Sequence, residues 1–360
     1  AGWVAYYRRR YDEARAYADE AAARATDDAV RVGALALAGR VRHGAGDLAG
    51  AVERLSAVGD GPPSVRGIAD VWLAQARLHQ GRPTDALDAL ARPLVDPESL
   101  AHPWVGLHLR FNRVLALGQL GRVSDAVRAT AELDALTRRR GPVGARFVAP
   151  AANAGSWVLR WSGRGAEADD RNLRALEATG GAAGPAEAAL AEGHYVALLD
   201  LADGCLLAAD VAEAAALAAR LAPVDTWEGT MAWHQRHRLV LLRARLALAG
   251  GDAEGAAGLA AAVAEDAARR TAGRYELLAR AVLGLADPAV PADELDEVVR
   301  GLGRCAVLDG WPLVAALAGA RRSDAWRAEA ERLAGAMVAG CGAGSHGDAA
   351  RGLVAAVLRA

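Results

Sequence analysis

The sequence contains no lysine, so all 42 of its basic residues are arginine. This absence excludes the phosphate-binding loop of P-loop NTPases, which needs a lysine to contact the phosphates. It also excludes Schiff-base catalysis by a lysine and phosphoryl transfer that depends on one. The basic groups that remain are guanidinium groups, which suit bidentate contacts with carboxylates and phosphates.

Cysteines and long apolar runs are scarce as well. The three cysteines, Cys205, Cys305 and Cys341, are widely separated and form neither a CxxC pair nor a disulfide framework. We therefore expect a reducing, cytoplasmic location. No apolar run approaches the roughly 20 residues that cross a bilayer, and the charged N-terminal segment is unlike a signal peptide. We expect no membrane partner.

Composition and net charge limit the fold classes and the kinds of partner that fit this sequence. Aromatic residues make up 5% of the chain and hydrophobic residues 53%, while alanine, leucine, arginine and glutamate, which are good helix formers, dominate. This composition predicts an all-α fold. The net charge of −2 lacks the strong basic excess of a nucleic-acid surface, so we expect no direct binding to nucleic acid.

One short pattern, Gly-x-x-x-x-Ala, returns along the chain. It occurs at Gly46/Ala51, Gly81/Ala86, Gly121/Ala126, Gly163/Ala168 and Gly251/Ala256. Looser copies without the glycine end at Ala14, Ala214 and Ala325. Successive alanines are mostly about 35–46 residues apart, a spacing typical of helical repeat arrays. A recurring pattern of this kind is a structural unit and not a catalytic motif.

Each unit is predicted to form two helices. Around Gly81, the residues Ile68, Trp72 and Leu78 fall on one helical face. Gly81 supplies a helix end that needs a positive φ, and Ala86 lies where a larger side chain would push two helices apart. We predict that residues 1–360 form a single α-solenoid of about eight or nine antiparallel helix pairs, with a weaker pattern over 285–360.

This pattern resembles the tetratricopeptide repeat (TPR), which has a small residue within its first helix, a glycine at the helix end and an alanine five residues later. Gly39, Ala74, Ser156 and Ala244 occupy the small position. The resemblance implies a right-handed stack with a concave inner face.

The segment "MAWHQRHRLVLLRARLALAGGDAEGA" at 231–256 is similar to the sensor region of LuxR/MalT-type ATP-binding transcriptional regulators. That resemblance implies a neighbouring NTPase module and a DNA-binding domain. Neither is visible in the sequence, so we expect an excised segment, with a freestanding TPR protein as the alternative.

The TPR resemblance also implies which side chains face a ligand. Counting back from each closing glycine places one set on the concave face: Arg40, His43, Gln75, His79, Phe111, Gln119, Asn153, Trp157, Arg160, Trp161 and Arg245. These polar groups suit peptide backbone or an anionic ligand. Trp157 and Trp161 share a helical face, which fits either an aromatic pocket or packing between repeats.

Two other groups suggest chemistry, and both have plainer explanations. His234 and His237 are three residues apart, a spacing that can hold a metal, but no third ligand is near in sequence and a solvated or interface helix face is favoured. Asp169 and Asp170 form an acidic pair that is best explained as the exposed side of a helix. We expect no catalytic site, no metal and no cofactor.

Recognition is the function that these features favour. We predict a regulatory module that binds a protein, a peptide or a small effector on its concave face, within a larger bacterial transcriptional regulator. A protein-binding scaffold is the first alternative, and an all-α enzyme with an unfamiliar site is the second.

Overall fold

A computed structural model describes residues 1–8, 10–59, 61–91, 104–181, 185, 190–341 and 344–358. Over these ranges the chain is helical and contains no strand, which confirms the predicted all-α class. The breaker-rich connection at 96–103, which includes His102, lies outside the described residues. In the part of the chain that the structure describes, no helix combines the length and the apolarity that a bilayer crossing requires.

Within the described ranges there are twenty α-helices, and a short 3-10 turn (Ala222–Asp225) precedes the fourteenth. They are α1 (Gly2–Tyr7), α2 (Tyr11–Arg24), α3 (Asp28–Ala45), α4 (Leu48–Ser56), α5 (Pro63–His79), α6 (Pro83–Leu90), α7 (Val105–Gln119), α8 (Val123–Arg139), α9 (Gly141–Ala145), α10 (Val148–Trp161), α11 (Gly165–Thr179), α12 (Ala191–Leu207), α13 (Val211–Arg220), α14 (Ala232–Ala249), α15 (Ala253–Arg269), α16 (Gly273–Ala286), α17 (Ala292–Cys305), α18 (Val307–Arg321), α19 (Asp324–Cys341) and α20 (Ser345–Val357).

Helices adjacent in sequence pack as pairs. The pairs are α3 with α4, α5 with α6, α7 with α8, α10 with α11, α12 with α13, α14 with α15, α16 with α17, and α18 with α19. The first helix of each pair also contacts the first helix of the next, in an unbroken series from α3 to α18. We call these first helices the inner helices: α3, α5, α7, α10, α12, α14, α16 and α18.

The recurring glycine has the structural role predicted for it. Gly81 has a φ of 73°, its amide donates to the Leu78 carbonyl, and the Arg82 amide donates to the Arg77 carbonyl. This arrangement satisfies carbonyls that a helix end would otherwise leave unpaired. Gly46, Gly121, Gly163 and Gly251 also have positive φ. Ala86 is fully buried, as a close contact between helices requires.

Two of the pairs use the same turn without a glycine. Ala209, after α12, has a φ of 61°, and Arg322, after α18, has a φ of 52°. The amide of Ala209 donates to the Leu206 carbonyl, and the amide of Asp210 donates to the Cys205 carbonyl, the same two bonds as at Gly81. The pairing of adjacent helices through this turn therefore continues where the glycine pattern is interrupted.

The series of inner helices closes on itself. α14 contacts α3, α16 contacts α5, and α18 contacts α7. The Met231 amide donates to the Gly44 carbonyl at 3.0 Å, and the Trp233 indole Nε1 donates to the His43 carbonyl at 3.3 Å. As a result, early and late inner helices meet, and together they line a common central space.

Candidate functional site

The inner helices line a cavity of about 350 Å³. This volume falls in the range of sites that bind small molecules. In the described part of the chain, seven consecutive inner helices, from α5 to α18, contribute side chains to its lining. The cavity therefore draws on repeats that are far apart in sequence.

One side of the lining comes from α5, α7 and α10 and carries no charged group among the described residues. Its side chains are Gln75, Leu78, His79, Phe111, Leu115, Gln119, Asn153, Ala154, Trp157 and Trp161. We call this the uncharged wall. Burial lowers the pKa of His79 to about 3, so its imidazole is neutral. Trp157 lies so close to Gly118 that a Cβ there would be 2.2 Å from a ring carbon.

The other side comes from α12, α14, α16 and α18, and we call it the charged wall. Its charged side chains in the described residues are Glu192, Asp200, Asp203, Arg238, Arg245, Arg274 and Asp309. These are four carboxyl groups and three guanidinium groups. Charges are costly to bury unless they are paired, so the partners of each group decide what the wall can bind.

All three of these guanidinium groups are paired with aspartates of the same wall. Arg238 Nη2 lies 2.5 Å from Asp200 Oδ1, and Arg245 Nη1 lies 2.5 Å from Asp203 Oδ1. The third pair joins Arg274 to Asp309, and both side chains are largely shielded from solvent. Burial raises the pKa of Asp200, and the Arg238 charge opposes that shift. The positive charges of the wall are thus neutralised within it.

Glu192, in the first turn of α12, is different. No hydrogen bond or ion pair joins its carboxyl to another described residue. Burial raises the pKa of Glu192 to about 7, while the charge of Arg40 acts in the opposite direction. Asn153 Nδ2 donates to the carbonyl of the next residue, Gly193, at 2.9 Å. This bond holds the turn that bears Glu192 against α10, within the cavity lining.

An aromatic and imidazole cluster connects the cavity to the contact between α3 and α14. His43 Nε2 lies 3.2 Å from His79 Nδ1, and the Tyr275 hydroxyl shares a 2.6 Å hydrogen bond with His234 Nε2. The His79 ring lies 4.9 Å from the His234 ring, between centroids. Burial lowers the pKa of His43 and of His234. The cluster is therefore neutral and packed.

The two histidines of 231–256 do not form a metal site together. His234 bonds to Tyr275, whereas His237 Nε2 lies 2.7 Å from Asp266 Oδ2. Over the described ranges, no group of three or more His, Cys, Asp or Glu side chains has the arrangement of a metal site. His237 is buried and His234 is half-buried, and both make hydrogen bonds to neighbouring helices. Of the two helix faces that the sequence allowed, solvated or interface, the structure has the interface.

Eight of the eleven predicted site residues line the cavity: Gln75, His79, Phe111, Gln119, Asn153, Trp157, Trp161 and Arg245. The other three are buried outside the lining. Arg40 stacks on the Trp72 ring at 3.6 Å and bonds to His43. Arg160 Nη2 bonds to Asp169 Oδ1 at 2.7 Å. Arg40 therefore links α3 to α5, and Arg160 links α10 to α11.

Of the charged residues of the charged wall, the sequence predicted only Arg245 as a site residue. The prediction counted back from a closing glycine, and α12 and α18 have Ala209 and Arg322 in its place. Asp203 lies six residues before Ala209, the offset that separates Gln75 from Gly81. If Ala209 is treated as equivalent to a closing glycine, the same offset predicts that Asp203 faces the cavity. Glu192 and Asp309 lie near the starts of their helices, where that offset gives no signal.

No family model matches the chain, and no curated protein or solved structure matches it either.

Proposed function

We propose that the chain is an α-solenoid of eight or nine TPR-like helix pairs that binds a small molecule in its central cavity, without converting it. The recurrent Gly–Ala spacing, the pairing of adjacent helices and the continuous series of inner helices support the repeat architecture. The handedness and the TPR relationship follow from the sequence resemblance.

The observation that carries this proposal is the cavity itself. Its volume of about 350 Å³ suits a small molecule. A peptide would need a longer, open groove, and the contacts of α14, α16 and α18 with α3, α5 and α7 close the inner surface. This closure favours a small effector over the peptide and scaffold alternatives raised by the sequence.

A ligand in this cavity can act as a regulatory signal. It would contact α5 as well as α14 and α16, which meet α3 and α5 at the closure. A ligand that binds the closed arrangement more tightly than an open one shifts the population toward closure. In a larger bacterial transcriptional regulator, this shift would change contacts with the NTPase and DNA-binding modules that the sequence resemblance implies.

A thermal-shift screen with a metabolite library tests the proposal. The test variant is Val196→Trp, which fills the cavity because Val196 lines it between Glu192 and Asp200. The control is Leu173→Trp, which adds the same ring at an exposed position of α11. We expect at least one compound to raise the Tm of the unmodified chain and the control but not of Val196→Trp. Equal shifts in all three proteins, or no shift with any compound, would contradict the proposal.

A further inference from the structure

We propose that the ligand is a small organic monocation, an apolar or aromatic body with one ammonium group, and that the Glu192 carboxylate binds this ammonium group. This inference rests on the proposed function, because it assumes that the cavity is the binding site. It adds the chemical class of the ligand and the residue that selects it.

The first argument is the charge balance of the cavity. Its three arginines each have an aspartate partner on the same wall, and Glu192 is the fourth carboxyl group. The positive charge that acts on the pKa of Glu192 is that of Arg40, whose guanidinium stacks on Trp72 and bonds to His43. No ion pair joins Arg40 to Glu192 in the described residues. The one charge of the lining without an ion-pair partner there is therefore negative.

The second argument is the hydrogen-bonding capacity left in the wall. Asp200 Oδ2 and Asp309 Oδ1 are buried and have no hydrogen-bond partner in the part of the chain that the structure describes. The Asn153 side-chain oxygen, beside the Glu192 turn, is also unpaired there. An ionised carboxylate can only accept hydrogen bonds, whereas an ammonium group offers three donors and no acceptor. These oxygens lie just behind the cavity surface, and their partial negative charge favours a cation over an anion beside them.

The third argument concerns the body of the ligand. The uncharged wall offers Phe111, Leu115 and Trp157, and the charged wall adds Leu278 and Val282. These side chains suit an apolar or aromatic group. The Trp157 ring already has the Arg274 guanidinium 5.8 Å from its centroid, so the ring accepts a cation at its face.

An anionic ligand, which the arginines of the sequence suggested, fits this lining less well. It would have to draw Arg238, Arg245 or Arg274 away from an aspartate. Breaking a buried pair leaves an uncompensated charge, which is strongly unfavourable. The carboxylate of the ligand would also approach Glu192. The cavity favours the opposite sign of charge.

Isothermal titration calorimetry with three probes of the same aryl body tests the ligand class: phenethylamine, phenethyl alcohol and phenylpropionate. We expect the amine to bind about tenfold more tightly than the alcohol, since one charge-assisted hydrogen bond contributes about that factor, and more tightly still than the acid. Glu192→Gln should weaken the amine about tenfold and leave the alcohol within about twofold. Glu177→Gln, at an exposed position of α11, should change neither.

Several outcomes would overturn the inference. Tightest binding of phenylpropionate would do so, as would amine binding that Glu192→Gln leaves unchanged. If no probe binds, the charge of the cavity-dependent hits from the metabolite screen decides: neutral or anionic hits overturn the cation and leave the proposed function standing. If that screen also finds no ligand, both proposals fail. Should Glu192→Gln not fold, the ranking of the three probes on the unmodified chain decides alone.

Discussion

The two walls of the cavity are built from the same kind of helix, yet their chemistry is opposite. In the described residues, α5, α7 and α10 contribute aromatic, amide and neutral imidazole groups, whereas α12, α14, α16 and α18 contribute all seven charged groups of the lining. The packing of the inner helices determines which positions face the cavity, and the residue type at each position determines its chemistry. One scaffold therefore supplies an apolar surface and a charged surface to the same ligand.

The difference also has an energetic side. Buried ion pairs add little net stability, because desolvation offsets most of their attraction, but removing one partner is costly. The apolar groups of the uncharged wall stabilise the fold by burial alone. Substitutions on the two walls should therefore differ in size and in their dependence on pH.

The largest expected effect is at Arg238. Arg238→Met leaves the buried carboxylate of Asp200 without its cation, and we expect the free energy of unfolding to fall by about 3–5 kcal/mol. Gln119→Met, a change of similar size on the uncharged wall, should cost less than about 1.5 kcal/mol. Urea denaturation measures both. Similar losses in the two variants would remove the energetic distinction between the walls.

The next effect separates the two tryptophans of the uncharged wall. Trp161 is 5% exposed and packs in the core, whereas Trp157 is partly exposed in the cavity. Trp161→Ala should lower the free energy of unfolding by roughly 3 kcal/mol or more. Trp157→Ala should cost about half as much and weaken phenethylamine binding. If Trp157→Ala destabilises the chain as much as Trp161→Ala, Trp157 is a packing residue.

Glu192 predicts a pH dependence. Because its pKa is raised to about 7, the folded chain holds a proton that the unfolded chain releases above its ordinary pKa. Its contribution to stability therefore falls as the pH rises from about 4.5 to about 7. The free energy of unfolding of Glu192→Gln should be about 2–3 kcal/mol higher than that of the unmodified chain at pH 8, and equal to it near pH 4. Denaturation at both pH values, with Glu177→Gln as control, checks the sign. An equal difference at both values would rule out the shifted carboxyl group.

The smallest effect concerns the turn after α12. Ala209 has a φ of 61°, a conformation that costs a residue with a Cβ about 1 kcal/mol. Ala209→Gly should raise the free energy of unfolding by up to about 1 kcal/mol, less the added entropy of the unfolded chain. The reverse change, Gly81→Ala, should lower it. A thermal melt of both variants checks whether the two turns are equivalent. A lower Tm for Ala209→Gly, or a higher Tm for Gly81→Ala, would show that they are not.

Much of the uncharged wall could be predicted from the sequence, because Gly81, Gly121 and Gly163 mark the helix ends and so fix the inward positions. Most of the charged wall could not: on α12, for example, Ala209 takes a left-handed conformation that its side chain does not predict. The ion pairs of the charged wall join residues 35, 38 and 42 positions apart, about one repeat. That spacing is a signal that a comparison of successive repeats could detect. The sequence does not predict that Glu192 lacks an ion-pair partner, because this depends on how far distant helices place their arginines from it.

The contact between α14 and α3 has a consequence for how the chain folds. Trp233 and the His43 carbonyl are 190 residues apart in sequence, so their contact raises the contact order far above that of neighbouring repeats. Open repeat arrays can nucleate anywhere and unravel from their ends. Here, closing the long loop is an entropic barrier that slows folding. Once formed, the same contact joins α3 to α14, so that local unfolding of either helix would destabilise the other.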